Sequence, residues 1–232
     1  MNCRQLYVWI IILFFTNNVF SQNKQNRKDQ SFKVGGINLI IPSPNDELVE
    51  VGYDNREKME IFVPTNNRLI SAFLSESDNR NLTDGGQLDM NTYALVEIPR
   101  NGEYMDCSQS DFQEVITAAK ESFGEIIGES LKESEEEINR RMKSLDLGSI
   151  QIGEAKQLGS LFSKKDAFSF CMLTTVENDE GKRNLVMGGI LLRVKKRLLF
   201  VYMYTEYINS ESISWIGKTT DKWSDAIFNA NK

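Results

Sequence analysis

The sequence predicts an α+β fold in which an antiparallel β-sheet is flanked by helices. Short strand-like runs fill the first half, a long amphipathic helix follows, and a three-strand meander with a closing helix ends the chain. Hydrophobic residues make up 41% of the 232 residues, which is enough to form a core without metals or disulfide bonds. We therefore expect one folded domain over residues 32–232.

The residues before this domain have a different composition. Arg4 precedes an unbroken apolar run at 6–15, and a polar segment follows it. Val19 and Ser21 are small enough for the two cleavage-site positions, which completes the layout of a secretory signal peptide. Its ending resembles export signals of Gram-negative bacteria. The run is shorter than the roughly 20 residues that a membrane-spanning helix needs. We expect a signal peptide at 1–21, a flexible leader at 22–31, no transmembrane anchor after cleavage, and a periplasmic or secreted location.

The first half of the domain is predicted to be mostly β-structure. Runs with strand composition are each bounded by Gly, Pro, Asn or Asp. The predicted strands are 34–42, 48–51, 60–63, 68–74 and 92–98. The polar residues 75–89 are predicted to be a solvated loop, since Arg80 and Leu82 occupy positions where a calcium-binding loop needs ligands.

From residue 111 the apolar spacing changes to three and four residues, which predicts an amphipathic helix with Ser110 or Asp111 as its N-cap. The pattern extends to residue 145 as one long helix or as two pieces broken near Gly128. An acidic run lies between its two apolar parts. This run is interpreted as a solvated face or as a docking surface for a basic partner, with the candidate residues Glu133, Glu135, Glu136 and Glu137.

In the last third of the chain, the residue pattern predicts strands at 167–176, 183–194 and 198–204 and a helix at 210–230. Trp223 is predicted to anchor the core. The pair Gly188-Gly189 is interpreted as a site of close helix packing, with a bulge or a ligand approach as the alternatives. The basic turn around Lys195 is predicted to be a solvated hairpin tip, with contact to anionic lipid or an acidic partner as the sharper alternative.

Composition excludes several classes of function. The chain contains no His, which removes the usual Ser-His-Asp and Cys-His catalytic arrangements and His-ligated metals. A formal charge of −6 argues against general nucleic-acid binding, which depends on clustered Lys and Arg. The glycine pairs lack the further Gly and the Lys of phosphate-binding loops. We therefore expect no nucleic-acid partner, no metal and no cofactor.

Three side chains remain as candidates for covalent or acid–base chemistry. Cys107 and Cys171 can form a disulfide bond in an exported protein, or remain as two partly buried thiols. Glu97 lies on a largely apolar predicted strand, where a raised pKa would suit a general acid in glycoside hydrolysis. The alternative for Glu97 is an outward-facing residue of an alternating strand.

The chain resembles the PsbP-like family of exported α/β/α sandwiches. The resemblance rests on the opening residues 36–42, the late meander and the ending at 223–231, and it covers most of residues 36–231. Many bacterial members carry a lipid-bearing Cys at the cleavage site, which this sequence lacks. The resemblance implies a non-catalytic accessory or binding role, although a fold does not fix a function.

These observations favour an exported, non-enzymatic domain that binds an envelope protein or a small envelope ligand. An immunity-type inhibitor of a periplasmic toxin is one specific form of this hypothesis. A carboxylate-dependent hydrolase acting on glycans is the alternative. A third hypothesis is a structural accessory subunit that binds through an exposed apolar patch. The candidates for this patch are Phe162, Phe168 and Phe170, although Phe168 and Phe170 fit a core face better.

Overall fold

The structure is a computed structural model that describes residues 31–86, 88–144, 149–178 and 181–232. For 122–134, 144 and 178 only the backbone is described. The predicted signal peptide at 1–21 lies outside these residues, as does the predicted leader apart from Ser31. The side chain of Glu133 also lies outside them.

The described strands are all paired in antiparallel fashion, and helices cover both faces of the main sheet. This confirms the predicted α+β class. The strands are β1 (Ser31–Val34), β2 (Ile37–Ile40), β3 (Leu48–Glu50), β4 (Asn67–Ser75), β5 (Thr92–Pro99), β6 (Gln151–Ile152), β7 (Lys156–Lys164), β8 (Ala167–Asn178), β9 (Gly181–Val194) and β10 (Arg197–Glu206). Eight of them form one sheet in the order β3-β4-β5-β10-β9-β8-β6, with β7 also paired to β8. The predicted meander is confirmed as β8, β9 and β10.

The helices are α1 (Tyr53–Met59), α2 (Glu76–Asp84), α3 (Gln109–Ser144) and α4 (Ser210–Ala230). The closing helix α4 is confirmed. The prediction of a strand at 60–63 was wrong, because a 3₁₀ turn at Glu60–Phe62 continues α1. The prediction of a loop at 75–89 was also wrong: the Ser75 hydroxyl accepts from the Asp78 amide and caps α2, which buries little apolar surface beyond Leu82.

The predicted strand at 34–42 is a hairpin of β1 and β2 instead. Gly35 and Gly36 form its turn with φ of +52° and +85°, a left-handed conformation that glycine adopts without steric penalty. The hairpin packs Val34 and Leu39 against the main sheet. Strand composition alone could not show this reversal, because apolar residues lie on both sides of the glycines.

Helix α3 continues through Gly128 as one helix of 36 residues. Its N-cap is Ser108 rather than Ser110 or Asp111. The Ser108 hydroxyl accepts from the Asp111 amide, while the Asp111 carboxylate accepts from the Ser108 amide. This reciprocal pair satisfies two backbone donors that helix formation leaves free.

Strands β6 and β7 were missed by the sequence analysis. Strand β7 is an edge strand, and its side chains are largely exposed, so it lacks an apolar alternation. Two register shifts interrupt its pairing with β8, and Gly159 has a φ of +114° at one of them. Its pattern therefore differs from that of a half-buried strand.

The sheet separates two apolar layers. Helix α4 and the β1–β2 hairpin cover one face. Trp223 is fully buried there, and its ring lies edge-on to that of Phe73 with 5.6 Å between the ring centres. Its indole N–H donates a hydrogen bond to the Pro42 carbonyl. This confirms the prediction that Trp223 anchors the core. The other face is covered by α1 and α2 near Leu95 and by Phe112 of α3.

The glycine pair in β9 serves this packing. A Cβ at Gly188 would lie 2.6 Å from Ile216 Cγ2 of α4, which confirms close helix packing at this position. A Cβ at Gly189 would lie 2.1 Å from the Phe170 ring, so the second glycine makes room for an aromatic side chain instead. Neither contact needs a ligand.

Candidate functional site

Glu97 lies inside the protein, on the sheet face that α1, α2 and α3 cover. It is 2% exposed, its cross-strand neighbours are Leu69 and Phe200, and it accepts a hydrogen bond of 2.9 Å from Asn67 Nδ2. The expectation that Glu97 is an outward-facing residue is therefore wrong. Burial raises the pKa of Glu97 to about 7, and the hydrogen bond from Asn67 opposes this only in part.

The position of Glu97 does not form a hydrolytic site. Glycoside hydrolysis uses two carboxyl groups that both reach the substrate. Among the described carboxyl groups, Glu50 also has a pKa raised by burial to about 7. It is a cross-strand partner of Phe73 and so lies on the opposite face of the sheet. The sheet therefore separates the two groups, and Glu97 is closed to a glycan.

Cys107 and Cys171 are both free thiols. Cys107 is half-buried and packs on the face that α3 covers, whereas Cys171 is buried in the layer beneath α4. Burial raises the pKa of both thiols. The sheet lies between them, so neither cysteine is placed to act on the other.

The acidic run is partly used inside the molecule. Glu135 Oε2 accepts a 2.6 Å hydrogen bond from the amide of Ile152 in β6. Glu137 pairs with Arg141 at 2.7 Å within α3 and accepts a hydrogen bond of 3.3 Å from the amide of Thr65, outside the helix. Glu136 is exposed. Two of the three described carboxylates therefore hold the end of α3 against its neighbours rather than facing a partner.

The apolar patch proposed at Phe162, Phe168 and Phe170 is not an exposed surface. Phe168 and Phe170 are buried, and Phe162 packs against the core beneath α4. The hypothesis of an exposed binding face here was therefore wrong, whereas the better fit of Phe168 and Phe170 to a core face is confirmed, since both pack with Phe112 of α3.

Two shallow grooves lie at the surface. One, of about 290 Å³, lies between residues 44–47 and α4, with Trp215 in its lining. The second, of about 260 Å³, contains Asp78, whose carboxylate accepts the amides of Asp89 and Met90. In the second groove the buried acid is therefore satisfied by its own chain.

The loop at 100–107 has a different character. Tyr104 and Met105 are 77% and 66% exposed. Among the described residues, they are the two large exposed hydrophobic residues that are neighbours in the sequence. Removing the exposed apolar surface of such side chains from water is favourable in free energy, so a partner that covers them gains affinity. Tyr and Met are also enriched at protein interfaces. We call this pair and its loop the 100–107 platform.

The backbone of the platform is held on both sides of the exposed pair. Before it, Glu103 forms a 2.6 Å ion pair with Arg68 and accepts from the amide of Gly35. After it, Arg197 donates to the carbonyl of Met105 at 3.1 Å and pairs with Asp106 at 2.6 Å. The loop is therefore ordered before a partner binds, which lowers the entropy lost on association.

The predicted solvated tip at the β9–β10 turn is part of this support. Arg197 is only 7% exposed, and its guanidinium also donates to the carbonyl of Gly35. The amide of Cys107 donates to the carbonyl of Lys196, and Arg193 pairs with Asp166 at 2.7 Å. The turn is thus built into the molecule, although the side chains of Lys195 and Lys196 remain exposed.

Sequence reasoning missed the platform. The signal available was two large apolar residues in a row inside a polar loop, residues 100–107, bounded by Gly102 and Asp106. From the sequence alone, Tyr104 and Met105 could equally belong to a loop that folds back and buries them in the core. In the structure, the ion pairs of Glu103 and Asp106 hold the loop so that both side chains stay exposed.

Comparisons with known proteins add little to this picture. No family model matches the chain, and no curated protein matches it significantly. One similar solved structure is a mutant of protein Mog1, at 10% identity and a TM-score of 0.33, covering 88% of this chain and 93% of that one. Another is the Saccharomyces cerevisiae Ran-binding protein Mog1p, at 11% identity and a TM-score of 0.29, covering 88% and 90%. At these TM-scores the similarity carries no argument about function.

The described residues contain neither a membrane-spanning helix nor a cluster of metal ligands. Across 31–86, 88–144, 149–178 and 181–232, no helix has the length and apolarity required to cross a membrane. In the same part of the chain, no group of three or more acidic or thiol side chains is arranged to hold a metal ion.

Proposed function

We propose that the protein is an exported, non-enzymatic binding protein of the bacterial envelope and that it binds another protein through the 100–107 platform. The observation that carries the proposal is the exposure of Tyr104 and Met105 on a backbone held by Glu103 and Asp106. Exposed aromatic and thioether side chains on a preordered loop match the anchors of protein interfaces.

Other features support a binding role over catalysis. The chain lacks His, and its strongest acid candidate, Glu97, is closed to solvent. The signal-like segment at 1–21 and the resemblance to PsbP-like proteins support export and an accessory role. An immunity-type inhibitor is a form of this proposal in which the partner is a toxin.

The test is a crosslinked pull-down of the full-length, C-terminally tagged protein from its own envelope fraction. We expect a stoichiometric protein partner with the native chain. The double variant Tyr104→Ala/Met105→Ser should reduce recovery more than tenfold, because it removes both apolar anchors. Thermal unfolding should stay within a few degrees of the native value, since both side chains are exposed.

The matched control is Tyr53→Ala/Ile208→Ser, which removes two exposed apolar side chains, 80% and 78% exposed, away from the platform. It should leave recovery unchanged. Equal losses in both double variants would show that the platform is not the binding surface, and the absence of any stoichiometric partner would overturn the proposal. For the hydrolase alternative, turnover of cell-wall or dietary glycans that disappears in Glu97→Gln would replace the proposed function.

A further inference from the structure

The surface around the platform is basic, in contrast with the rest of the chain. Lys33 and Arg100 are exposed beside it, as are Lys195 and Lys196 in the β9–β10 turn. We call these four residues the cationic rim.

Three of the four rim residues are connected to the platform by contacts of the chain, and the fourth, Lys195, adjoins Lys196 in the β9–β10 turn. Arg100 lies within the loop itself. The carbonyl of Lys33 accepts from Arg68, which is the ion-pair partner of Glu103. The carbonyl of Lys196 accepts from the amide of Cys107, directly after the exposed segment.

The charge balance of this surface is strongly positive. The rim together with Arg68, Arg193 and Arg197 supplies seven cations, against four carboxylates, which gives a net formal charge of +3. The carboxylates are those of Glu103, Asp106, Asp111 and Asp166. The whole 232-residue chain has a formal charge of −6. A local excess of this sign on an acidic protein is not explained by overall composition, and it would attract an acidic surface while the rest of the molecule repels one.

We infer that the partner bound at the platform is a protein that presents an acidic surface around an apolar recess. Tyr104 and Met105 would fill the recess, and the carboxylates of the partner would face the cationic rim. The two apolar side chains and the cationic rim lie on the same surface of the protein. This inference therefore rests on the proposed function and specifies the surface of the partner. An anionic membrane is the competing occupant. Two apolar side chains provide little insertion energy, which disfavours the membrane.

The experiment places a photoreactive phenylalanine analogue at position 104 of the full-length protein in its own envelope fraction. Crosslinked peptides are identified by mass spectrometry, and the yield is measured at 50 and 500 mM NaCl. We expect a crosslink to one protein, at an apolar segment bordered by Asp and Glu, with a yield that falls at least fivefold at high salt because exposed charge pairs are screened. A crosslinked segment without neighbouring Asp or Glu, or a yield independent of salt, would overturn the inference.

The rim is tested by Lys33→Glu/Arg100→Glu/Lys195→Glu, which leaves Arg68 and Arg197 in place. We expect the crosslink yield at 50 mM NaCl to fall about tenfold, since rim charges control the rate of association. The control Lys182→Glu/Lys218→Glu/Lys222→Glu makes the same change in net charge at exposed lysines elsewhere and should reduce the yield less than twofold. Equal losses in the two variants would attribute the effect to net charge and overturn the inference.

Further outcomes separate the two proposals. If Tyr104→Ala/Met105→Ser abolishes binding while the rim variant does not, the proposed function stands and the acidic partner is wrong. If position 104 gives no protein crosslink, both proposals are wrong. Cosedimentation with vesicles of phosphatidylglycerol and phosphatidylethanolamine at 1:3, lost in the rim variant, would replace the protein partner with a membrane.

Discussion

The side-chain amide of Asn67 donates a 2.9 Å hydrogen bond to the carboxylate of Glu97 inside the layer that separates the sheet from α1, α2 and α3. Burial of this carboxyl raises its pKa to about 7 despite the hydrogen bond. The folded protein therefore holds a proton that the unfolded chain releases near pH 4.5.

This difference predicts a loss of stability as pH rises. A carboxyl whose pKa is raised by folding contributes fully below pH 4.5, and its contribution is lost as pH rises towards 7. Glu97 alone should lower the unfolding free energy by about 3 kcal/mol over this range. Glu97→Gln keeps the acceptor for Asn67 without the charge, so it should be more stable than the native protein by about 2 to 3 kcal/mol at pH 8 and equal to it at pH 4.5.

Urea unfolding between pH 4.5 and 8 measures this difference. Part of the pH dependence should persist in Glu97→Gln, because burial also raises the pKa of Glu50 to about 7. The control Glu177→Gln changes an exposed carboxyl and should follow the native curve. Parallel curves for the native protein and Glu97→Gln would contradict the prediction.

The turn of the β1–β2 hairpin gives a second prediction. A Cβ at Gly35 would lie 1.9 Å from the carbonyl oxygen of Glu103 and 2.7 Å from Arg197 Nε, whereas a Cβ at Gly36 would meet nothing within 4 Å. Both glycines have positive φ. Gly36→Ala should therefore lose about 1 kcal/mol of unfolding free energy from backbone strain, and Gly35→Ala about 3 kcal/mol or more.

Chemical denaturation of the two alanine variants compares these losses directly. Gly35→Ala should also weaken the platform, because Gly35 contacts Glu103 immediately before the exposed pair. Losses of equal size would show that backbone conformation alone, and not contact with Glu103, requires glycine at position 35.

The packing of α4 on β9 gives a third prediction, in which alanine substitutions at two glycines change the stability in opposite directions. Gly188→Ala would force a methyl group to within 2.6 Å of Ile216 Cγ2, a branched side chain with little freedom in a helix, and should destabilise by about 1 to 3 kcal/mol. Gly217 lies within α4, where a Cβ would reach ordinary contact with Leu161 at 3.4 Å. Gly217→Ala should stabilise by up to about 1 kcal/mol through helix propensity.

Thermal unfolding should therefore shift down for Gly188→Ala and up for Gly217→Ala. A neutral Gly188→Ala would mean that β9 and α4 are able to separate slightly, and the close approach of the two elements would then not explain the glycine.

The end of α3 gives a fourth prediction. Arg141 Nη1 donates to the carbonyls of Glu60 and Val63 at 2.7 and 2.8 Å, so this side chain joins the helix to the 3₁₀ turn. Arg141→Ala should lower the unfolding free energy by about 1 to 2 kcal/mol, because it removes the side-chain donor to the Val63 carbonyl and one of two donors to the Glu60 carbonyl, which keeps the amide of Val63. The neighbouring Arg140 is exposed, and Arg140→Ala should change stability by less than about 0.5 kcal/mol.

Hydrogen exchange checks where the effect of Arg141→Ala appears. Faster exchange should be confined to residues 60–67 and to the last turns of α3. Uniform acceleration across the sheet would show that the contact contributes to global stability rather than fastening this end of the helix.

Local patterns were sufficient for the elements with a single buried face or a strong period. The three- and four-residue spacing placed α3 and α4, and short apolar runs placed β4, β5 and the meander, because these signals follow from which side chains must leave water. The same reasoning missed α2, whose polar residues bury mainly Leu82 and Asp78, and it missed β7 at the sheet edge. The same reasoning also predicted β1 and β2 as a single strand, because apolar residues lie on both sides of the turn between them.

The sequence by itself determined the α+β class, the signal-like segment, the exclusion of histidine chemistry and the close helix packing at Gly188. Tertiary structure decided the rest. It enclosed Glu97, separated the two cysteines by a sheet, and left Tyr104 and Met105 exposed on a loop held by Arg68 and Arg197. These ion pairs join residues 35 and 91 positions apart along the chain. Because such contacts depend on how the strands are ordered in the sheet, no local pattern specifies them.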